Sequence, residues 1–186
     1  MLDEQTILKR LQNKGWTLSS LSGRMDNGST ALMNALSLNE SQSKYEDQDL
    51  VEALLKHPST DVHAQDNQGH NALWYVYDFK HAFPLLAQAG LDFNQLDDDG
   101  EHFLISELFW IDFNHPEKLN FFKEYLQTAV RVGHIDLFQN YDDEPFWTHF
   151  PSILEPLIQS LMAEQTKTQL STIPLAQNKS KHSRKL

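Results

Sequence analysis

Three stretches of this chain repeat one layout: a polar turn, a glycine, three further residues and a leucine. They are Asp26-Asn27-Gly28-Ser29-Thr30-Ala31-Leu32, Asp66-Asn67-Gln68-Gly69-His70-Asn71-Ala72-Leu73 and Asp97-Asp98-Asp99-Gly100-Glu101-His102-Phe103-Leu104. Each leads into a short stretch of helical pattern. A worn fourth copy has Asp143 where the glycine stands. Gly69 to Gly100 is 31 residues, while Gly28 to Gly69 is 41 and Gly100 to Asp143 is 43. The two longer spacings each contain a polar, loop-like stretch, 38–48 and 111–118. Removing about ten residues for each brings all three near a 33-residue unit, the mark of stacked repeats. A second landmark agrees: Gly90, Gly133 and Ser59 each lie ten residues before the corresponding turn position. Gly90 and Gly133 follow apolar runs, where a helix-ending residue of positive φ is expected.

The periodicity predicts helices nearly throughout. Residues 4–13 form an amphipathic helix with Ile7, Leu8 and Leu11 on one face. Helices over 30–36 and 47–56, 71–79 and 81–88, and 101–110 and 116–132 make successive pairs, with Pro84 confined to a first turn. Residues 145–149 open a fourth unit, and 151–164 close the stack. No single helix pair can bury its own apolar face, so the pairs must stack into a continuous core with strong terminal helices. The turn glycines supply positive φ, and Asp26, Asp66 and Asp97 accept backbone N–H bonds. These residues are therefore expected to build the scaffold rather than a site.

At these positions the chain resembles the ankyrin repeat family, in which a finger-like turn, a helix, an antiparallel helix and a return loop recur. The resemblance covers 28–32, 50–73, 85–104 and, in degraded form, 133–147, and is closest through Leu50-Val51-Glu52-Ala53-Leu54-Leu55 and Asp61-Val62-His63-Ala64-Gln65-Asp66. The chain departs from the family at two signature positions. Ala31, Ala72 and Phe103 stand where a proline is usual, and Met33, Trp74 and Ile105 where a histidine is usual. The resemblance implies an all-α, helix-turn-helix repeat solenoid with short finger-like turns. Its expected parts are an N-terminal capping region (1–24), three to four repeats (25–150), a C-terminal capping helix (151–165) and a disordered basic tail (166–186).

Composition narrows the function classes. A 40% hydrophobic fraction with four tryptophans excludes a chain disordered throughout. No run of about 18 apolar residues occurs, and the acidic start Met1-Leu2-Asp3-Glu4-Gln5 does not read as a signal peptide, so a cytoplasmic protein is expected. Cysteine is absent, which removes disulfides and thiol catalysis. All 26 acids lie in the first 165 residues, against 10 basic residues there, a net charge of −16; residues 166–186 carry five basic residues and no acid. An acidic body disfavours nucleic acid and steers toward a basic partner.

The resemblance implies that partners bind at the turn tips and on the exposed face of each first helix. Counted six, nine and ten residues past the turn glycine, those positions are Tyr75, Asp78 and Phe79, then Ser106, Phe109 and Trp110. Four of the six are aromatic, the residue class enriched at interface centres. Asp98, Asp99, Tyr141 and Asp142 would form an acidic rim at the turn tips, with Asn67 and Gln68 beside them. The expected partner is a protein that is basic or carries an apolar patch, bound by a chain that is monomeric when free. No cofactor and no metal site is expected: the nine histidines show no metal-ligand spacing, and no glycine-rich phosphate loop occurs. His102 and His115 with Asp112 are the residues a cryptic metal-dependent hydrolase would use. The expected function is a non-enzymatic binding protein of the immunity or antitoxin type that neutralises a toxic effector. The alternative is an adaptor, or an effector delivered to a host or cellular target.

Overall fold

The computed structural model describes residues 2–13, 15–16, 19–37 and 44–172. The protein is mostly helical, with one short two-stranded sheet. Helices α1 (Glu4–Asn13), α2 (Ala31–Leu36), α3 (Lys44–Leu55), α4 (Phe79–Gln88), α5 (Phe103–Leu108), α6 (Pro116–Gly133) and α7 (Glu155–Thr172) follow in chain order. Single 3₁₀ turns form at Ala72–Tyr75, Phe146–His149 and Ser152–Leu154. Strands β1 (Asn140–Tyr141) and β2 (Glu144–Pro145) pair antiparallel, so the chain is not purely α.

The recurring turns share one geometry. In each, a backbone N–H before the tip donates to the carbonyl beyond it: Met25 to Ser29, Asp66 to His70, Asp97 to Glu101. Gly28, Gly69 and Gly100 all take φ near +80°. In the fourth turn Asp142 and Asp143 adopt φ of 50° and 64°, so Asp143 does the conformational work of the missing glycine, at the cost a β-carbon imposes there. Neighbouring turns are tied directly, Asn67 N–H donating to the Asn27 carbonyl at 3.0 Å and Asp98 N–H to the Gln68 carbonyl at 3.1 Å. A β-carbon on Gly69 would stand 2.5 Å from the Asp98 nitrogen. Gly69→Ala is therefore expected to cost about 2 kcal/mol, from left-handed strain plus displacement of the next turn. Urea denaturation checks this, and a cost under about 0.5 kcal/mol would show that the turns are not coupled.

The first three turns each feed a capped helix start. Thr30, Asn71 and His102 all stand in extended backbone before the helical segment, and each accepts a backbone N–H with its side chain. The apolar faces behind them merge into one core. It runs from Ile7 and Leu11, through Leu50 and Leu54, to Phe83, Phe93, Phe103 and Phe122, and then to Phe146, Leu154 and Leu161.

Four expectations need correction. The helix expected over 71–79 is a single 3₁₀ turn, because the Tyr77 N–H donates to the Leu36 carbonyl of α2 and pulls the chain out of helical register. Gly133 is not the positive-φ residue; His134 is, with φ 53°. Gly133 is small because a β-carbon there would run into the Phe93 ring. The segment from 166 onward is helical as far as Thr172, since no glycine or proline interrupts it before Pro174 and the Thr166 and Thr168 hydroxyls donate to the Met162 and Glu164 carbonyls; the rest of that tail lies outside the described residues. Of the loop expected over 38–48, residues 44–48 begin α3 and 38–43 lie outside the described residues.

Candidate functional site

The expected aromatic stripe divides between core and surface. Phe79 is buried, 2% exposed. It is the first residue of α4, and its ring packs on Phe83, Phe121 and Tyr125 at centroid distances of 5.2–6.0 Å. Its assignment to an exposed face is overturned, for the reason that shortened the preceding helix. With only Ala72–Tyr75 helical, the tenth residue past Gly69 already opens the next helix and the ninth is its cap position. Asp78 is accordingly the residue before α4, where its carboxylate accepts from the Gln48 side-chain amide at 3.1 Å.

Tyr75 is half-buried and committed internally. Its hydroxyl donates to Asp66 Oδ2 at 2.6 Å. Burial first, and then the Asp66 carboxylate, hold its phenol well above the usual tyrosine range. The Asp66 side chain is itself almost fully buried. Burial would raise its carboxyl, but the Tyr75 hydroxyl and the backbone N–H groups of Gln68 and His70 outweigh that and hold it low. His70 spans this turn and the next, with Nδ1 3.4 Å from Asp66 Oδ2 and Nε2 3.4 Å from Asp97 Oδ2. Its ring stacks on Trp74 at 5.2 Å. This cluster was not singled out in the sequence, although the recurring turn aspartates were its visible half. It cross-links turns and is mostly enclosed.

Asp98, Asp99 and Asp142 are exposed, and Tyr141 is half-buried. The Tyr141 hydroxyl accepts the His102 N–H at 3.3 Å. These four lie at the turns, before the N-terminal end of α5, whereas Phe109 and Trp110 follow its C-terminal end. Six helical residues span about 9 Å, so the turn acids do not rim the aromatics as expected.

His102, His115 and Asp112 are likewise not assembled. His102 is fully buried, with its ring 4.8 Å from Phe103 and 4.6 Å from Phe146. Its Nδ1 accepts the Leu104 N–H at 3.2 Å. Burial pushes its pKa down to about 4, only partly opposed by the Phe93 carbonyl and Asp92. His115 sits beyond the other end of α5, exposed, 3.3 Å from both Asp112 and Glu117. Among the described residues, no group of three or more His, Asp or Glu side chains is placed to hold a metal ion. No helix among them is long and apolar enough to cross a membrane.

The surface that does emerge is the segment after α5. Phe109 is 77% and Trp110 81% exposed, consecutive large aromatics with no ring contact among the described residues. Their backbone is held rather than loose: Phe109 N–H donates to Ser106 O and Trp110 N–H to Glu107 O, both at 3.2 Å. Farther along, Phe113 packs on Phe122 of α6, and the Asp112 carboxylate accepts from Asn114, whose hydrogen bonds hold it low. Half-exposed Phe121 packs on Phe79, and half-exposed Tyr77 precedes Phe79 by two residues. Ser106 and Glu107 are half-buried at the end of α5. Burial raises the Glu107 carboxyl.

No protein-family model matches this chain, and no curated protein matches it.

Proposed function

We propose that this chain is a non-enzymatic protein-binding module of the ankyrin-like repeat kind, and that it acts as an immunity- or antitoxin-type protein, sequestering a toxic effector in the cytoplasm. The observation that carries the reading is the pair Phe109–Trp110, 77% and 81% exposed on a braced turn. Exposing two large aromatics side by side sacrifices burial worth several kcal/mol in all, and contiguous apolar exposure of this kind marks interaction sites. The cross-bonded turns and serial capped helices favour a repeat scaffold, whose variable surface is what binds. The acidic body would speed the approach of a basic effector. As a binder of one partner, the free chain would be a monomer.

The test is affinity purification of the tagged chain from its native cells beside Trp110→Ala. One basic partner recovered in equal amount and lost in the variant supports the reading. Recovery of many proteins unaffected by the substitution favours the adaptor or delivered-effector reading. Trp110→Ala is expected to weaken that partner by about 2 kcal/mol or more, roughly 30-fold, with an unchanged melting temperature. Titration calorimetry and circular dichroism check the two halves.

A further inference from the structure

We propose that Asn27 is a site of spontaneous covalent modification, deamidating through the Gly28 amide at a rate set by the fold of the first turn, independently of any binding partner.

Asn27 is the one asparagine of the sequence that a glycine follows. A side chain on the following residue hinders the approach of its backbone nitrogen to the carboxamide, and glycine has none. Asn27 is also exposed, so water and hydroxide reach it. The reaction needs nothing else. Hydroxide takes the Gly28 amide proton, and the nitrogen forms a bond to Asn27 Cγ. The side-chain nitrogen takes a proton from water and leaves as ammonia. Water then opens the succinimide so formed. Cleavage at the side-chain carbonyl gives aspartate. Cleavage at the main-chain carbonyl gives isoaspartate, in which the chain runs through Cβ and Cγ and is one carbon longer.

The closed turn opposes the first step. The Gly28 N–H donates to the Met25 carbonyl at 2.8 Å, which withholds the nucleophile. The carboxamide is held as well: Asn27 Oδ1 accepts the Ser29 N–H at 3.1 Å and the Ser29 hydroxyl at 2.8 Å, a hydroxyl that also faces Asn34 Oδ1 at 3.2 Å. The second and third turns are braced otherwise. There Asp66 and Asp97 stand where the first turn has Met25. Their carboxylates each accept two backbone N–H groups, of Gln68 and His70 and of Asp99 and Glu101. A thioether is a poor acceptor, so in the first turn Asn27 supplies the brace from within the loop. Brace and reactive group are thus one side chain, and the chemistry waits on local opening of the turn.

The two products differ in what they do to the stack. The Asn27 carbonyl accepts the Asn67 N–H that ties the first turn to the second. Aspartate keeps that carbonyl and offers Ser29 a stronger acceptor. Isoaspartate converts the carbonyl into a free carboxylate and lengthens the turn, so both the closure from Met25 to Ser29 and the tie to Asn67 are lost.

The experiment incubates the full chain in mildly alkaline buffer, folded or unfolded in guanidinium chloride. Each asparagine is followed by peptide mass mapping, and isoaspartate is scored with an isoaspartyl methyltransferase. In the unfolded chain Asn27 should react at least tenfold faster than every other asparagine, and folding should slow it at least tenfold. Ser29→Ala removes the hydroxyl brace, and Asn67→Ala removes the side-chain bond to the Asp26 carbonyl. Each should raise the folded rate at least threefold while leaving the unfolded rate unchanged. Asn27→Asp should melt with the parent, whereas the isoaspartate form, separated from aged protein by ion exchange, should melt lower. No preference for Asn27 in the unfolded chain overturns the site. A folded rate equal to the unfolded rate, or unchanged in both variants, overturns control by the turn. An isoaspartate form as stable as the parent overturns the loss of the tie between units.

Discussion

Phe83→Ala is expected to cost about 4 kcal/mol of folding stability, the largest effect of any single substitution considered for this chain. Phe83 lies in α4 and is fully buried. Its ring meets Phe79 at 6.0 Å, Phe93 at 5.3 Å, Phe103 at 6.0 Å and Tyr125 at 5.1 Å, in edge-to-face or tilted arrangements. Those partners come from α4 itself, from the return segment, from α5 and from α6, so one ring joins consecutive units. Truncation forfeits the transfer energy and opens a cavity among rigid rings that cannot easily collapse into it. Urea denaturation should show the midpoint falling while the slope with denaturant stays constant. A loss under about 1.5 kcal/mol would mean the aromatic cluster repacks, and that the units are joined elsewhere. Set beside Trp110→Ala, the same chemical deletion separates the roles of two aromatics: one should change stability alone, the other binding alone.

That separation could not be read from residue type. Phe79 and Phe109 are both aromatic, both nine or ten residues beyond a turn glycine, and on opposite sides of the surface boundary. Counting outward positions assumes a first helix of constant length. In the second unit a hydrogen bond from Tyr77 to α2 ends the helix after one 3₁₀ turn, and in the third α5 runs six residues. The competing bond lies 41 residues from its acceptor in sequence, so no local pattern announces it. What local chemistry does control was legible: the turn glycines, and the assignment of Asp143 to the glycine's place, which its φ of 64° matches; the caps Thr30, Asn71 and His102 were read as helical residues instead. Glu107 was invisible for a different reason. A carboxylate in a predicted helix is ordinarily a solvated one, and only the packing around α5 half-buries this one.

Acidification should destabilise the protein well above the pH at which its carboxylates protonate, and His102 is the reason. Folded, its pKa is pushed down from 6.5 to about 4, above all by burial. The unfolded chain therefore binds one more proton than the folded chain between those two values. Stability is fully present above pH 6.5 and falls as pH drops toward 4. The loss across this window is on the order of 3 kcal/mol. Asp66 has the same sign of dependence but starts from 3.8, so it acts below this window. Glu107, raised by burial, changes in the opposite sense and offsets a little of the loss. Geometry makes protonation doubly costly for His102, because Nδ1 must surrender the Leu104 N–H that caps α5, and a charge would then sit against Phe103 and Phe146. The equivalent cap in the preceding unit is Asn71, whose Oδ1 accepts the Leu73 N–H at 2.8 Å. His102→Asn borrows that solution: the cap survives and the titrating ring is gone. It should be less stable than the parent at pH 7.5, having lost a buried ring, yet show a nearly flat denaturation midpoint from pH 6.5 to 4.5. If the variant loses stability with the same slope as the parent, the acid sensitivity arises from other groups, and His102 is merely a cap.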